Sequence, residues 1–403
     1  MASYGRFSVN RQHLINGVRE RLKRYPPPHQ NHYGVVPNPP PETSVALGSA
    51  QTAHRTALEA IGRADALAKS YPQHFLLSRV LVRQEAVTSS AIEGTYSTLD
   101  QLLEDEATFD PFDPDGEVCR TATKQVKNYA EALEGALAAV ERNRYDALSV
   151  GLIRDLQCQV VKDDPAYKHT PGEVRGPSHV VWIGGSGHIA RSIYNPCPPE
   201  DVHNCLAAHI EYLRCDGLQA VHQSIITRMA LAHAHFEAIH PFPDGNGRVG
   251  RLLLPLLLAA DGHAPLYITP HLAVDRSAYM DGLKVAQQRL EYAPLIQALS
   301  LAISAAVYRA ERAHEQLQAL SADWIKRAKW RKNSAARRTL EMVSSFPVMT
   351  AKRLSATLGV TLKSANDGIK QLTSASILRE RTGFKRNRVF VAHEVLEIFN
   401  APL

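Results

Sequence analysis

Most of the chemistry this sequence offers is gathered in one stretch, His240-Pro241-Phe242-Pro243-Asp244-Gly245-Asn246-Gly247-Arg248-Val249-Gly250-Arg251. Gly245 and Gly247 permit backbone conformations and close approaches that a Cβ would block. Asn246 and Gly247 fall where a helix is predicted to begin, so backbone N–H groups and the helix dipole present an anion site there. Arg248 and Arg251, three apart on that helix, share a side and can clamp further phosphate oxygens. Asp244 supplies a hard oxygen of the kind Mg²⁺ takes alongside phosphates. His240, at the loop entrance, can accept a proton near neutral pH. A base, a metal ligand, an anion cradle and an arginine pair describe phosphoryl or nucleotidyl transfer. A capped helix start over a buried histidine would explain the glycines, but not the carboxylate and two arginines converging on them. Phe242 reads most simply as an apolar anchor.

Such a loop needs a helix on either side, and the text supplies both, at about Gln219–Ile239 and Gly247–Ala260. Further helices are predicted at Thr121–Asn143, Ser149–Val161, Pro199–Cys215, Arg276–Ala286 and roughly Leu295–Ala335. Residues 170–199 break the pattern with five glycines and several prolines. There the β-prone Val180-Val181-Trp182-Ile183 ahead of Gly184-Gly185 predicts a hairpin or flap. Residues 1–42 read as a Pro-rich arm, because proline denies helix and sheet their donors. Helical text follows from Ser44 to about Thr95, where Gly94 is placed to act as a C′ stop, and then a loop containing Asp110-Pro111-Phe112-Asp113-Pro114. The histidines His233 and His235 lack an HExxH context and read as packing or surface residues.

The last segment, 334–399, changes character. Thr350 is placed to cap a short helix, Gly359-Val360 to turn, and Thr361 to cap a second helix ending near Ser374. A basic hairpin around Lys385-Arg386-Asn387 completes the order of a winged helix-turn-helix, a module that contacts DNA or docks on protein. From Ser321 onward 16 Lys and Arg face 6 Asp and Glu. That is +10 out of a chain total of +6, which leaves the preceding 320 residues at −4. A basic tail on a mildly acidic body points to two tasks, although a solvated basic face would give the same count.

Over 403 residues, 44% hydrophobic and 21% charged content is that of a soluble globular protein of two or three domains. The longest apolar run, Leu252–Ala260, contains Pro255 and is about half a membrane span, so no membrane partner is expected. Residues 1–10 hold no apolar signal core. The five cysteines show no CxxC spacing and read as reduced packing residues in a cytoplasmic protein.

The loop fits HxFx(D/E)GNGRxxR at every specified position and therefore resembles the motif of the Fic family. That resemblance implies His240 as general base and Asp244 as Mg²⁺ ligand. It implies Gly245, Asn246 and Gly247 as cradle for the α- and β-phosphates of ATP, with Arg248 and Arg251 on the outer phosphates. Thr170-Pro171-Gly172-Glu173-Val174-Arg175 and Trp182-Ile183-Gly184-Gly185 are similar to the family's target-binding flap, although Trp182 also reads as plain core. Ser89-Ser90-Ala91-Ile92-Glu93-Gly94 matches the inhibitory (S/T)xxxE(G/N) motif of the class with an N-terminal inhibitory helix. Glu93 would then hold Arg251 away from the γ-phosphate. Related proteins often carry two tyrosines where this chain has Tyr279-Met280, so Tyr279 reads either as a base-stacking residue or as core.

The expected fold is all-α. It comprises an N-terminal helical region (43–120) with the inhibitory helix, a Fic core (121–320) with one β-hairpin flap, and the winged helix (334–399). The expected function is adenylyl transfer from ATP to a Ser, Thr or Tyr hydroxyl of a protein, including the chain itself, by an enzyme that can dimerise. Phosphoryl transfer as in the Doc branch, removal of AMP with Glu93 orienting a water, and a nucleotide-sensing DNA-binding regulator are the alternatives. Arg251 counts against the first, and His240 against a pure sensor.

Overall fold

A computed structural model of the chain describes residues 13–71, 79–108, 121–383 and 387–402. The predicted loop at Asp110–Pro114, and Lys385 and Arg386 of the basic hairpin, lie outside the described residues. In chain order the principal helices begin with α1 (Gln51–Ser70), α2 (Arg79–Ile92), α3 (Leu99–Thr108), α4 (Thr121–Asn143), α5 (Val150–Val161), α6 (Val202–Arg214) and α7 (Ile225–Ile239). They continue with α8 (Asn246–Asp261), α9 (Arg276–Arg289), α10 (Ala293–Arg327), α11 (Ala335–Met342), α12 (Ala351–Leu358), α13 (Leu362–Ser374) and α14 (His393–Asn400). The fold is predominantly helical, with short strands β1 (Leu22–Arg24), β2 (Tyr33–Val35), β3 (Val348–Thr350), β4 (Arg379–Glu380) and β5 (Val389–Val391).

The chain forms two compact units, residues 1–62 with 131–305 and residues 63–130 with 306–403. These are not the sequential segments 43–120 and 121–320. Three long helices, α1, α4 and α10, each contribute to both units, so packing cuts across the order of the text.

The first unit is built around α7. Every residue of this helix is buried, the polar Arg228, His233, His235 and Glu237 among them. The Ser224 hydroxyl starts it by accepting from Thr227 N–H at 3.2 Å. Helices α6, α8 and α9 pack on α7, and α5 packs on α8. Gly262, at φ 96°, ends α8, with His263 N–H reaching Leu258 O at 2.9 Å.

The Pro-rich stretch, predicted as an arm, is packed down from residue 13 onward. Strands β1 and β2 pair antiparallel, Leu22 opposite Val35. Leu14, Val18 and Val35 bury against Tyr194 and Ala238. Tyr25 is 2% exposed, and its hydroxyl donates to Pro196 O at 2.7 Å. Gln223 Nε2 donates to Pro41 O and Thr43 O at 2.6 and 2.7 Å. Prolines have no N–H to give, but their carbonyls still accept, and that fixes the segment without an extended ladder.

In the second unit α2 and α3 share a core with the C-terminal segment, including Val80, Leu99, Leu354, Ile369, Phe390 and Phe399. Helix α12, Gly359 in the left-handed region and α13 form a helix-turn-helix. Thr350 and Thr361 cap its helices by accepting from Arg353 and Ser364 N–H. The sheet order is β3-β5-β4, all antiparallel, with Val391 opposite both Val348 and Arg379. Arg381, just past β4, pairs with Asp100 and Glu104 of α3 at 2.9 and 2.6 Å.

Helix α10 is, by length and composition, apolar enough to cross a bilayer. Within the first unit its Leu295, Ile296, Leu299 and Ile303 are completely buried, which is the pattern of a core helix.

Candidate active site

The chemistry-bearing loop lies between α7 and α8, and a left-handed residue marks each end. His240 terminates α7 at φ 51°, with its N–H on Phe236 O at 2.9 Å, and Gly245 opens α8 at φ 86°. A Cβ on Gly245 would also meet Val161 Cγ1 at 3.2 Å. Gly247 sits in ordinary helical backbone, so of the two glycines predicted to need conformational freedom only Gly245 requires it here.

Between these ends Asn246 ties the loop to itself. Its Nδ2 donates to Phe242 O at 2.8 Å, and its Oδ1 accepts from Phe242 N–H at 2.9 Å. Phe242 is completely buried, the anchor expected from the sequence. With the loop closed in this way, the first N–H groups of α8 have no intrahelical acceptors and present the positive end of the helix dipole.

Around that anion site stand three charged side chains. Arg248 is 4% exposed; its Nη1 donates to Val160 O at 3.4 Å and its Nη2 lies 3.8 Å from Asp244 Oδ1. Arg251, one turn on, is 1% exposed. The Asp244 side chain is 65% exposed, and its Oδ1 accepts from Gly245 N–H at 2.6 Å. Among the described residues no cluster of three His, Cys, Asp or Glu side chains could enclose a metal. A single open carboxylate beside an anion cradle fits Mg²⁺ as a metal shared with nucleotide phosphates, and no closed protein cage is present to hold it alone.

The His240 side chain is 20% exposed, and its Nδ1 lies 3.8 Å from Glu237 Oε2. Burial, reinforced by the charge of Arg251, pushes His233 down to about 3, which keeps it neutral. Its Nε2 is 2.7 Å from the Tyr279 hydroxyl, and the two rings stack at 5.8 Å. Tyr279 is 1% exposed. Tyr279 is thus buried, with its hydroxyl and its ring both engaged by a buried histidine.

The predicted flap is a loop excursion closed by one antiparallel bridge, Ile183 to Tyr194, with two short 3-10 turns between the bridged residues. Gly184 and Gly185 both have positive φ, and a Cβ on Gly185 would come within 2.7 Å of the Arg191 and Ser192 backbone. Trp182 is half-buried with its ring edge-on to His29 at 5.5 Å.

Ser89, Glu93 and Gly94 belong to the second unit. Helix α2 ends at Ile92, and Gly94, at φ 90°, closes it as the sequence predicted. Gly94 N–H bonds Ala91 O at 3.1 Å and Thr95 N–H bonds Ser90 O at 2.9 Å. Ser89 is fully buried, while Glu93 is exposed at the helix end.

One residue that supports the loop is absent from the sequence reading. Gln157 of α5 is completely buried and spans two segments. Its Nε2 donates to Asp244 O at 3.0 Å, and its Oε1 accepts from Gly172 N–H at 2.6 Å. A glutamine within a helix 87 positions before its partner carries no local signal of that role.

Comparison with known proteins matches residues 51–138 to the family described as Fic/DOC family N-terminal, and residues 147–258 to that described as Fic/DOC family. A probable protein adenylyltransferase of Aquifex aeolicus is 36% identical over 96 residues, 24% of this chain and 27% of that one. The protein adenylyltransferase fic-1 of Caenorhabditis briggsae is 36% identical over 93 residues, 23% of this chain and 17% of that one. The matches thus span about a quarter or less of those relatives' length. Among solved structures, a Fic family protein from Desulfovibrio desulfuricans G20 aligns over 88% of this chain and 98% of its own, with a TM-score of 0.52 at 20% identity. Residues 134–508 of Fic-1 from C. elegans align over 66% of this chain and 73% of that one, with a TM-score of 0.52 at 22% identity. At these identities the likeness to solved structures is one of fold.

Proposed function

The chain is a Fic domain protein, and from that premise we propose that it is a protein adenylyltransferase. The observation that carries the reading is that one loop joins His240, partly exposed, to the positive N-terminus of α8, with Arg248 and Arg251 beside it. A base and a polyphosphate site are thereby held within a few residues of each other, as transfer of a nucleotidyl group requires.

In this reading ATP lies with its phosphates on the α8 N-terminus. His240 takes the proton of a target Ser, Thr or Tyr hydroxyl, the oxygen attacks the α-phosphorus, and the bond to the β-phosphate oxygen breaks. The products are the AMP-modified protein and pyrophosphate. Asp244 would hold Mg²⁺, which when bound neutralises phosphate charge. Arg248 and Arg251 orient the outer phosphates, and the Ile183 segment offers backbone groups to an extended target strand.

Two further functions are proposed for the rest of the chain. Glu93 restrains the enzyme by competing for Arg251, a role supported by the match of Ser89–Gly94 to the inhibitory motif. The segment 334–399 acts as a winged helix that contacts DNA through Lys363 and Lys370, both exposed on α13, and through Arg388. The four described cysteines are thiols, which suits a cytoplasmic location.

The test is labelling with ATP carrying its isotope in either the α- or the γ-phosphate. Incorporation into protein from the α-label alone supports adenylyl transfer. Incorporation from the γ-label identifies phosphoryl transfer instead, and incorporation from neither in both wild type and Glu93→Gly leaves a nucleotide sensor or an enzyme that removes AMP.

A further inference from the structure

Four consecutive carbonyls, from Ala238 to Pro241, carry the end of α7 into the loop, and a donor serves each of them. Cys197 N–H reaches Ala238 O at 3.2 Å, and Arg175 backbone N–H reaches Pro241 O at 2.9 Å. The Arg175 guanidinium takes the two between, with Nη2 on Ile239 O at 2.9 Å and Nε on His240 O at 2.7 Å. Its other hydrogen bonds go to the carbonyls of His179, at 3.2 Å, and Cys197.

This is an unusual place for a cation. Arg175 is 2% exposed, burial pulls its pKa down, and among the described residues every acceptor of its side chain is a backbone carbonyl. Burying a charge without a carboxylate is costly in general. Part of that is offset because the C-terminus of a helix is the negative end of its dipole. Simple capping would not require a fully buried arginine, since water or a surface lysine serves most helix ends.

Two features of the site do require it. His240 holds φ 51°, a conformation that is unfavourable for a residue with a Cβ and persists only when its surroundings impose it. His179 and Cys197 also stand at the two feet of the flap, one on each side of the Ile183–Tyr194 bridge. One planar fork therefore grips the backbone of the base and both ends of the segment that would present the target.

We propose that Arg175 is a positioning residue that fixes the left-handed turn of His240 and sets the flap in register with it. It touches neither nucleotide nor target. Lysine can substitute only in part, because its single ammonium cannot span all the carbonyls arranged for a fork.

The proposal rests on the transfer reading only for its rate measurement. Full-length Arg175→Lys and Arg175→Met are compared with their parent, in whichever of the wild-type and Glu93→Gly backgrounds transfers AMP. Affinity for an ATP analogue with a methylene bridge between the α- and β-phosphates should stay within about threefold of the parent, because the cradle on α8 is untouched. The transfer rate at saturating ATP should fall about 10²-fold in Arg175→Met, the scale of a misplacement near 1 Å. Arg175→Lys should recover only a part. An undiminished rate overturns the proposal, as does a loss of analogue binding and transfer in step with the folded fraction. If neither background transfers AMP, the adenylyl reading fails, and the decision passes to the ¹³C backbone shifts of His240. Loss of the left-handed signature in Arg175→Met supports the positioning role, and its retention overturns it.

Discussion

Glu237 and His240 face each other across one turn at the end of α7, with Oε2 of the first 3.8 Å from Nδ1 of the second. The other Glu237 oxygen, Oε1, lies against Gly250 of α8. A Cβ built on Gly250 would collide with it and stand 3.1 Å from His233 Cε1. The glycine thus lets the helix that carries the arginines lie directly against the helix that carries the base.

Gly250→Ala should therefore destabilise the protein by about 1–3 kcal/mol, the usual cost of overpacking. Gly135→Ala, in mid-helix α4 with nothing within 4 Å of the added carbon, should stabilise it by about 0.5–1 kcal/mol. Urea unfolding of the two variants beside wild type checks both signs.

Asn246→Ala should cost roughly 2–4 kcal/mol, because it strands both the N–H and the carbonyl of the fully buried Phe242. ATP binding should weaken with it, since the side chain sets the curvature of the loop under the phosphates. Equal stability and equal nucleotide affinity in this variant would show that the loop holds its shape without the side chain.

Three histidines of the first unit make it acid-labile. Burial pushes His233 and His235 down to about 3 and His209 well below its usual value. All three pKa values are depressed, so above about pH 6.5 neither the folded nor the unfolded chain carries these charges and nothing is lost. As pH falls below 6.5 the unfolded chain protonates and the folded one does not. Each imidazole then removes on the order of 2 kcal/mol by pH 5. Melting temperatures should be level between pH 7 and 8 and drop steeply from pH 6.5 to 5. A level profile through pH 5 would contradict the burial of these rings as neutral groups.

Duplex DNA should bind the full chain weakly and with strong salt dependence, through exposed Lys363 and Lys370 and through Arg388. Arg388 already bonds Glu380 at 3.1 Å and covers the Phe390 ring, so its share should be the smaller one. The double variant Lys363→Glu/Lys370→Glu should reduce the slope of log affinity against log salt by about two. A fluorescence titration showing no binding to any duplex at low salt would point to protein docking.

Much of the site was legible because its chemistry is local. His240, Asp244, Gly245, Asn246 and the two arginines lie within twelve consecutive residues, and Thr350, Thr361, Gly359 and Gly94 act on their immediate backbone neighbours. What stayed illegible acts at a distance. Arg175 reaches carbonyls 64 and 65 positions away, and Gln157 one 87 away, and neither residue type at its position announces a backbone partner. The Pro-rich stretch misled for a related reason. Proline content reports missing donors, whereas packing there depends on carbonyls that accept from Gln223 and on Tyr25. Tyr279 carries two readings because a tyrosine near a nucleotide site and a tyrosine in a core look alike in sequence, and its contact with His233 is invisible there.

The measurement that bears most directly on the whole account is intact mass after incubation with ATP and Mg²⁺. It compares wild type, Glu93→Gly, Glu93→Gly/His240→Ala and Arg251→Ala. If His240 is the base, Glu93 the restraint and Arg251 the clamp, Glu93→Gly gains AMP while wild type gains little. The double variant falls back by about 10²–10⁴-fold, the usual contribution of a general base, and Arg251→Ala stays inactive because clamp and restraint are lost together. A gain of phosphate in place of AMP, or AMP incorporation undiminished by His240→Ala, would contradict the account.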